Sequence, residues 1–359
     1  MSPSSSPSEL DPFGFLVAAG PVAAATTASA WLQAMLDAEA ALALAEADAG
    51  LIPAAAAEGI AAACRIDQFD MSAVLDAAAL GGNAVIALVP ALRALVGDVD
   101  AAHVHRRATS QDIVDAATTL VVARCAEVVR GRLGAARARA NEFGDRYGDT
   151  PMIARTLGQH AVPTTFATVT ARWADALGEA AAGLSAPAVS LGGPSGDGTS
   201  YGEHRDAIVE RFAARLGLEV SPAVRHSQRT ATVITAGQWA VVATACGKVA
   251  LDVIVLAQSD VGELSEVADG AGASSSMPHK HNPIAAISAR AAAMQAPGLV
   301  ATLVQAASSH ETERAAGAWH AEWPALNMLL RSAGSAVEWV HRSLQRLVVH
   351  ADRMKANLP

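Results

Sequence analysis

The sequence predicts an all-α protein, built as a long central helical bundle with a smaller helical domain before it. Hydrophobic residues make up 52% of the 359 positions and aromatic residues only 4%, and alanine is the commonest apolar residue. Alanine has the highest helix propensity and allows helices to pack closely. Long segments repeat apolar residues with the helical period, whereas the alternation typical of strands is nearly absent. These observations favour a helical bundle over a sandwich or a barrel.

The N-terminal part divides into a tail and a helical domain. Residues 1–10 are rich in serine and proline and are expected to form a disordered tail. The helical domain is predicted to cover residues 11–102. Its longest helix is expected at 26–49, with an apolar stripe made of Trp31, Met35, Ala38, Leu42 and Ala45. Shorter helical pieces follow, and breaks between them are expected at Pro53, Gly81, Gly82 and Pro90.

A central helical-bundle domain is predicted for residues 103–359, after a join at 97–102. Its helices are expected at 112–133, 164–183, 228–258, 284–308 and 324–350. Pro297 is expected to kink the fourth of these helices. The last helix has an apolar side made of Leu326, Leu330, Val337, Val340, Leu344 and Leu347. Since the apolar faces are wide, we expect burial against other subunits as well as within one chain.

Charge and cysteine usage restrict the partners and the compartment. The formal net charge of −9 argues against nucleic acid or an anionic membrane as the partner. Cys64, Cys125 and Cys246 stand alone, which is typical of small buried hydrophobes in a reducing compartment. The most apolar run, 241–257, contains Lys248 and Asp252 and is therefore expected to be a core helix. Without a signal segment at the start, a cytoplasmic location is expected.

Residues 269–283 form the most informative segment, with the sequence DGAGASSSMPHKHNP. Its glycines and serines predict a mobile loop that cannot hold regular structure. Three hydroxyls at 274–276 are followed by the cationic run His279, Lys280 and His281. A mobile hydroxyl loop joined to a cationic corner suits a catalyst that closes over an anion and moves a proton.

This segment resembles the G-S-S-x-M-P-x-K-x-N signature loop of the fumarase/aspartase superfamily, which includes adenylosuccinate and argininosuccinate lyases. Ala273 replaces the leading glycine, and the rest of the pattern is kept. The resemblance implies two catalytic residues, Ser274 as the proton-transfer residue and Lys280. Lys280 and Asn282 would hold the substrate carboxylate and the enolate-like charge that develops on it. Ser275 and Met277 are assigned to substrate binding by the same resemblance.

A second segment, 105–116, reads HRRATSQDIVDA. Thr109 and Asp112 fit the capping box that opens a helix, and a helix N-terminus binds carboxylates. A cap alone is the plainer interpretation, but the segment resembles the H-x-G-x-T-S-x-D segment of the same superfamily. The resemblance implies that His105, Thr109 and Ser110 contact the substrate. Arg107 stands where the family usually has glycine.

A metal site is not expected in this segment. His103 and His105 could suggest a pair of ligands, but the sequence offers no third one. The resemblance likewise implies no metal and no organic cofactor.

A third segment, 155–161, reads RTLGQHA. The superfamily has T-H-x-Q here, with the histidine acting on the leaving group, so the resemblance assigns Arg155, Thr156 and Gln159 to substrate binding. Leu157 replaces the histidine. Expulsion of an amine needs a general acid, whereas a carboxylate leaves as a stable anion. His160 lies close by, but a structural histidine is the preferred interpretation.

A fourth segment, 310–323, reads HETERAAGAWHAEW. Arg314 could grip a carboxylate with its two-pronged guanidinium. A packed interface segment is an alternative that is compatible with this role. The segment closely resembles the E-R-x-x-G-x-W-H-x-E-W run of bacterial 3-carboxy-cis,cis-muconate cycloisomerases. Further matches to that branch lie at 81–95 and 108–112, so that the resemblance runs from about residue 10 to the end.

The resemblance implies a cycloisomerase of aromatic catabolism. Such an enzyme converts 3-carboxy-cis,cis-muconate, a small tricarboxylate, to 4-carboxymuconolactone in the β-ketoadipate pathway of protocatechuate degradation. A homotetramer with active sites composed of several chains is expected. Family members usually continue into a small C-terminal helical domain, which is expected to be absent here. An amine-eliminating lyase of the same superfamily and a non-catalytic helical scaffold remain as alternatives.

Overall fold

The fold is known from a computed structural model that describes residues 12–267, 271–277 and 280–359. The predicted tail at 1–10 lies outside the described residues, as do Gly270, Pro278 and His279 of the signature loop. The described residues form fourteen α-helices and four short β-strands. The predicted all-α fold class is confirmed.

Six helices make up the N-terminal part: α1 (Pro21–Ala25), α2 (Ala28–Asp48), α3 (Ala54–Ala63), α4 (Met71–Gly81), α5 (Val85–Val96) and α6 (Asp98–Ala101). The predicted long helix at 26–49 is α2. The predicted break at Pro90 is wrong, because this proline lies inside α5. Its ring removes the helical hydrogen bond to the carbonyl of Ile86, but the helix continues past it to Val96.

Eight helices make up the remainder: α7 (Ser110–Tyr147), α8 (Phe166–Ala182), α9 (Arg205–Leu216), α10 (Thr230–Leu256), α11 (Ile284–Ala293), α12 (Ala296–Ala307), α13 (Ala318–Gln345) and α14 (Ala351–Ala356). α7 extends well beyond the predicted end at 133, because Ala136, Ala140 and Phe143 continue its buried side. The predicted kink becomes a break between α11 and α12. Pro297 falls in the first turn of α12, where a missing N–H costs little.

One continuous hydrophobic core runs through the molecule. α2 packs against α7 and α9, so the core crosses the predicted division at residue 102, which stays a prediction. The predicted apolar side of the last helix is confirmed for Leu326, Leu330, Val337, Val340 and Leu344, which are at most 4% exposed. The predicted end of that helix at 350 is wrong, because α13 ends at Gln345 and the buried Leu347 begins a short strand. The three cysteines are also buried, as predicted. Burial raises the pKa of the Cys125 and Cys246 thiols to about 12.

Two antiparallel strand pairs were not predicted: β1 (Pro151–Thr156) with β2 (Gln159–Thr165), and β3 (Leu264–Glu266) with β4 (Leu347–Val349). β1 and β2 form a hairpin whose two-residue turn is Leu157-Gly158. Both turn residues have a positive φ, 52° and 78°, as a type I′ turn requires. The strands are too short, and β2 too exposed, for an alternating pattern to reveal them.

The long helices define two poles. Arg229, just before α10, pairs with Asp115 at the start of α7 and with Glu322 at the start of α13. α7, α10 and α13 therefore begin together, at what we call the α7 pole, and they end near the two strand pairs, at the hairpin pole. With 38 residues in α7 and ~1.5 Å per residue, the poles are roughly 55 Å apart.

Two stretches, Thr230–Leu256 and Ile284–Ala307, are long and apolar enough to cross a membrane by length and composition alone. Half of the most apolar 18-residue part of the first stretch is buried inside the protein. Lys248 and Asp252 form an ion pair on the same helix. α10 is thus a helix of the bundle, as predicted.

Candidate active site

The N-terminus of α7 is built around a fully buried carboxylate. The predicted capping box is present, with the Thr109 N–H donating to Asp112 Oδ2 at 2.9 Å. Asp112 also accepts from the N–H groups of Gly192 at 2.6 Å and Gly193 at 3.0 Å, and Oδ1 lies 2.9 Å from His226 Nε2. This saturation with partners lets a buried carboxylate hold a loop against the helix end.

Arg314 lies beside the same helix end. Its Nε donates to Gln111 Oε1 at 3.4 Å and its Nη2 to the Pro194 carbonyl at 3.3 Å. Both partners are neutral, and among the described residues the guanidinium has no carboxylate partner. Ser110, the first residue of α7, precedes Gln111 in the chain. The structure thus brings the predicted residues Thr109, Ser110 and Arg314 together, in a place that favours an anion.

His105 is held from inside the protein. Its Nδ1 lies 2.6 Å from Glu39 Oε1, and the imidazole is largely buried. Burial lowers the pKa of His105, but the charge and hydrogen bond of Glu39 outweigh it, so the pKa is raised overall. The predicted contact of His105 with the substrate stays a prediction.

Arg107 has a left-handed backbone at the position where the family usually has glycine. Its φ is +61°, in the left-handed region that favours glycine. Two contacts hold it there: Nη1 lies 3.4 Å from Glu46 Oε1, and the carbonyl accepts from Ser200 Oγ at 2.8 Å. Burial raises the pKa of Glu46 to about 7, although Arg107 acts in the opposite direction.

A buried charge network lies under this pole and was missed by the sequence reasoning. Arg229 Nη1 donates to Asp115 Oδ2 at 2.6 Å, and its Nε donates to Glu322 Oε1 at 3.0 Å. His310 Nε2 lies 3.1 Å from the same Glu322 oxygen, and Trp319 Nε1 donates to Asp115 Oδ1 at 3.1 Å. The network locks the first turns of α7 and α13 to the segment that carries Arg314. The sequence signal that could have revealed this network is the presence of charged residues inside apolar segments.

A cavity of about 460 Å³, which we call the chamber, opens next to the network. α2, the turn between α4 and α5, α7 and α13 form its walls. Its main lining residues are Trp31, Met35, Ala78, Asn83, Val114, Thr118, Arg229, Glu322, Trp323, Leu326 and Asn327.

The hairpin pole carries the third segment. Arg155 makes a two-pronged pair with the fully buried Glu263, at 2.7 and 3.1 Å, which ties β1 to the chain after α10. Within one chain its guanidinium is thus engaged, and its role in substrate binding stays a prediction. Thr156 and Gln159 flank the hairpin turn and are exposed, and the Leu157 side chain between them is fully exposed at 102%.

The signature loop supports its serine with backbone donors. Ser274 Oγ accepts from the N–H groups of Met277 at 3.2 Å and Ser276 at 3.4 Å. Such donors would stabilise negative charge on the oxygen. Ser275 and Met277 are exposed. Lys280 is exposed too, and its ammonium group has no ion-pair partner among the described residues.

A neck closes the loop at its base. The backbone N–H and the side-chain Nδ2 of Asn282 both donate to the Gly272 carbonyl at 2.9 Å, and Ala273 pairs with His281. The amide nitrogen of Asn282 thus serves the loop itself, while its predicted contact with substrate stays a prediction. Below the neck, Glu266 accepts from the first N–H groups of α11, a cap that the sequence did not reveal.

The predicted site residues fall into two groups. His105, Thr109, Ser110 and Arg314 lie at the α7 pole. The hairpin pole carries Arg155, Thr156, Gln159, Ser274, Ser275, Met277, Lys280 and Asn282. With roughly 55 Å of α7 between the poles, one chain does not bring the two groups to one small substrate.

Known proteins resemble this chain over most of its length. A profile of the Lyase family matches residues 14–298. The chain is 43% identical over 354 residues to nitrosuccinate lyase of Streptomyces davaonensis, covering 94% of this chain and 74% of that protein. It is 40% identical over 336 residues to 3-carboxy-cis,cis-muconate cycloisomerase of Bradyrhizobium diazoefficiens, with coverages of 91% and 74%.

A solved structure shares the fold. The 3-carboxy-cis,cis-muconate lactonizing enzyme of Pseudomonas putida superposes with a TM-score of 0.90 at 33% identity, covering 97% of this chain and 79% of that one. Together with the helical fold and the signature loop, these similarities show that the chain belongs to the Lyase family of the fumarase/aspartase superfamily.

Proposed function

We propose that the protein is a cycloisomerase that closes 3-carboxy-cis,cis-muconate to 4-carboxymuconolactone. The carrying observation is Leu157, which puts an apolar side chain at the hairpin tip where the superfamily has its general acid. A reaction that adds or expels a carboxylate needs no acid there, because the carboxylate is stable as an anion. Relatives named for this reaction align along nearly the whole chain.

The mechanism begins at the substrate's own carboxylate, whose oxygen adds to a carbon of the conjugated diene. The electron pair of that double bond moves towards the neighbouring carboxylate and forms an enolate-like anion. Lys280, whose ammonium is unpaired among the described residues, stabilises this charge. Ser274 then delivers its proton to carbon, and the N–H groups that already point to its oxygen stabilise the alkoxide that remains.

The test is an absorbance assay with purified protein and 3-carboxy-cis,cis-muconate, because lactonisation removes the conjugated diene. We expect the diene absorbance to fall and a lactone to appear as the product. Unchanged absorbance at high protein concentration would contradict the proposal.

A second candidate reaction is the elimination of nitrite from nitrosuccinate. The 43% identity to a nitrosuccinate lyase favours it. Nitrite is also a stable anion, so Leu157 is equally compatible with its departure. Here Ser274 would act as the base that removes a proton beside a carboxylate, the C–N bond would break, and an unsaturated dicarboxylate would remain. A colorimetric nitrite assay, run beside the muconate assay, separates the two candidates.

An amine-eliminating lyase is the less favoured alternative. Adenylosuccinate and argininosuccinate release nitrogen leaving groups that need protonation. Leu157 offers no proton, and His160 is an exposed residue of β2 whose backbone pairs with Arg155. The same absorbance format, with those two substrates, should show no turnover.

We also propose that the working enzyme is a cytoplasmic homotetramer with composite sites. Apolar side chains on the outer face of α10 support this: Ile234 is 62% exposed, Val241 50% and Val255 36%. Ile234 and Val241 are seven residues apart, and Val255 follows fourteen residues later, with Lys248 at the position between them. The three apolar residues therefore lie on one side of the helix and form one stripe, which is typical of a helix that packs against another helix. A head-to-tail arrangement of chains would bring unlike poles together. Light scattering would measure the assembly.

A further inference from the structure

The chamber and the anion-binding end of α7 share one helix face. Ser110, Val114 and Thr118 follow each other at intervals of four residues, so they lie above one another along α7. Ser110 begins the helix beside Arg314, whereas Val114 and Thr118 line the chamber. A ligand whose carboxylate sits at the helix end therefore has the chamber directly below it.

The chamber is apolar and of ligand size. Trp31, Met35, Val114, Trp323 and Leu326 supply its walls. Its volume of about 460 Å³ falls within the usual range of small-molecule pockets. Hydrocarbon that moves from water into such a space is stabilised.

The charged groups in the chamber wall are already compensated. Arg229 is buried and bonded to both Asp115 and Glu322, and Glu322 also pairs with His310. Among the described residues that line the chamber, Arg229 is the cation, and it is already paired. No lining cation is therefore free to pair with a carboxylate. A carboxylate placed in the chamber would lose its hydration without gaining a countercharge.

The amide oxygens in the wall are also occupied. Asn83 Oδ1 accepts from the N–H groups of Val85 and Ile86 at the start of α5. Asn327 Oδ1 accepts from Trp31 Nε1 at 2.9 Å. The wall thus offers no free charge, which disfavours a charged occupant. Its unpartnered polar groups are neutral donors, such as the buried Trp323 Nε1, which has no hydrogen-bond partner among the described residues.

We propose that the chamber is a specificity subsite for an uncharged hydrocarbon group on a small carboxylate ligand. The carboxylate of the same molecule would bind above it, at Ser110 and Arg314. The inference rests on the proposed function only in placing a substrate carboxylate at that helix end. It extends the substrate class to small carboxylates that carry an apolar group.

The test compares the binding of succinate and 2-benzylsuccinate to the assembled wild-type protein by titration calorimetry. The two share their carboxylates and differ in an apolar ring. We expect 2-benzylsuccinate to bind at least about tenfold more tightly. Equal affinities would overturn the proposal without the need for any variant.

A pair of variants then locates the effect. Ala78→Trp fills the chamber and should reduce the preference for 2-benzylsuccinate to less than about threefold, with succinate binding unchanged. Ala77→Trp is the matched control, because Ala77 is an exposed neighbour on α4 that does not line the chamber. Loss of the preference in both variants, or in neither, would contradict the location.

Two other outcomes are distinguishable. If Ala78→Trp dissociates the assembly and wild type shows no preference, the chamber receives another subunit and the proposal is wrong. The muconate assay could be negative while wild type prefers 2-benzylsuccinate and Ala78→Trp loses that preference. The proposed reaction would then be wrong, and the proposed subsite would be supported.

Discussion

Backbone strain marks the candidate site at the level of single residues. Among the described residues, four that are not glycine have a left-handed backbone: His105 at φ 57°, Arg107 at 61°, Leu157 at 52° and Thr312 at 48°. All four lie in the segments that resemble the substrate-contacting segments of the superfamily. Each such conformation costs on the order of 1 kcal/mol or more and tends to cluster where function requires it. Backbone geometry thus singles out the same segments as the resemblance does.

Ser274→Ala should abolish turnover while the fold and substrate binding persist. The variant removes the proposed proton donor, and proton transfer by a side chain typically contributes about 10²–10⁴-fold in rate. The measurement is kcat and KM in the diene assay, with circular dichroism to check the fold. Ser276→Ala is the control, since only its backbone N–H contacts Ser274. Activity of Ser274→Ala within a few fold of wild type would point to Ser275 instead.

Leu157→His should fail to create amine-lyase activity and should lower the rate of lactonisation. An imidazole at the hairpin tip would place a polar group where the proposed reaction needs none. The assay uses adenylosuccinate, argininosuccinate and 3-carboxy-cis,cis-muconate in parallel. Faster lactonisation by the variant would show that Leu157 does not mark a reaction that needs no general acid.

Glu46→Gln should change how stability depends on pH. Because the pKa of Glu46 in the folded protein is about 7, above its ordinary 4.5, wild type loses stability from this group as the pH rises between these values. Glutamine cannot ionise, so the variant should gain up to about 3 kcal/mol relative to wild type from pH 4.5 to 8. Urea unfolding at several pH values measures this difference. A difference that stays constant with pH would contradict the assignment.

At the scale of the element, long helices were predictable and short strands were not. α2, α8, α10 and α13 carry many apolar residues at helical spacing, so their pattern is repeated over several turns. The β1–β2 hairpin depends instead on a turn in which Leu157 takes a conformation that glycine or asparagine usually takes. The local sequence does not indicate that Leu157 adopts this conformation. It is fixed by tertiary contacts such as the pair between Arg155 and Glu263.

Part of the candidate site was predictable for the same reason. The capping box at Thr109 and Asp112 is a local pattern, and the structure confirms it. The pairing of Arg229 with Asp115 and Glu322 joins residues that are far apart in the sequence, and no local pattern indicates it. Whether the predicted residues contact substrate stays a prediction.

Gly272→Ala should distort the signature loop at its base. An added Cβ would come within 2.1 Å of the Asn282 carbonyl oxygen, and φ at this position is +74°. The neck of the loop must therefore open, which we expect to lower kcat at least about tenfold, with the melting temperature less affected than activity. The control is Gly298→Ala in α12, where an added Cβ meets nothing within 4 Å. Equal activity of the two variants would contradict the role of the neck.

At the scale of the whole molecule, the separation of the two poles means that a substrate touching both groups of predicted residues would require a second chain. The α7 pole carries Arg314, and the opposite pole carries Ser274 and Lys280. A substrate a few bonds long cannot bridge roughly 55 Å of helix. A closed head-to-tail assembly solves this, because each contact between unlike poles then recurs by symmetry. The exposed stripe on α10 provides a surface for that contact.

Subunit mixing tests this arrangement. Ser274→Ala and Arg314→Ala should each be inactive alone, because each removes one half of every site. In mixed assemblies some sites combine the intact Arg314 of one chain with the intact Ser274 of another. Random mixing in equal amounts should restore about a quarter of the wild-type activity, since each half is intact with a probability of about one half. Mixtures of each variant with itself are the controls. A fully active monomer in light scattering, or no recovery after confirmed subunit exchange, would rule out sites shared between chains.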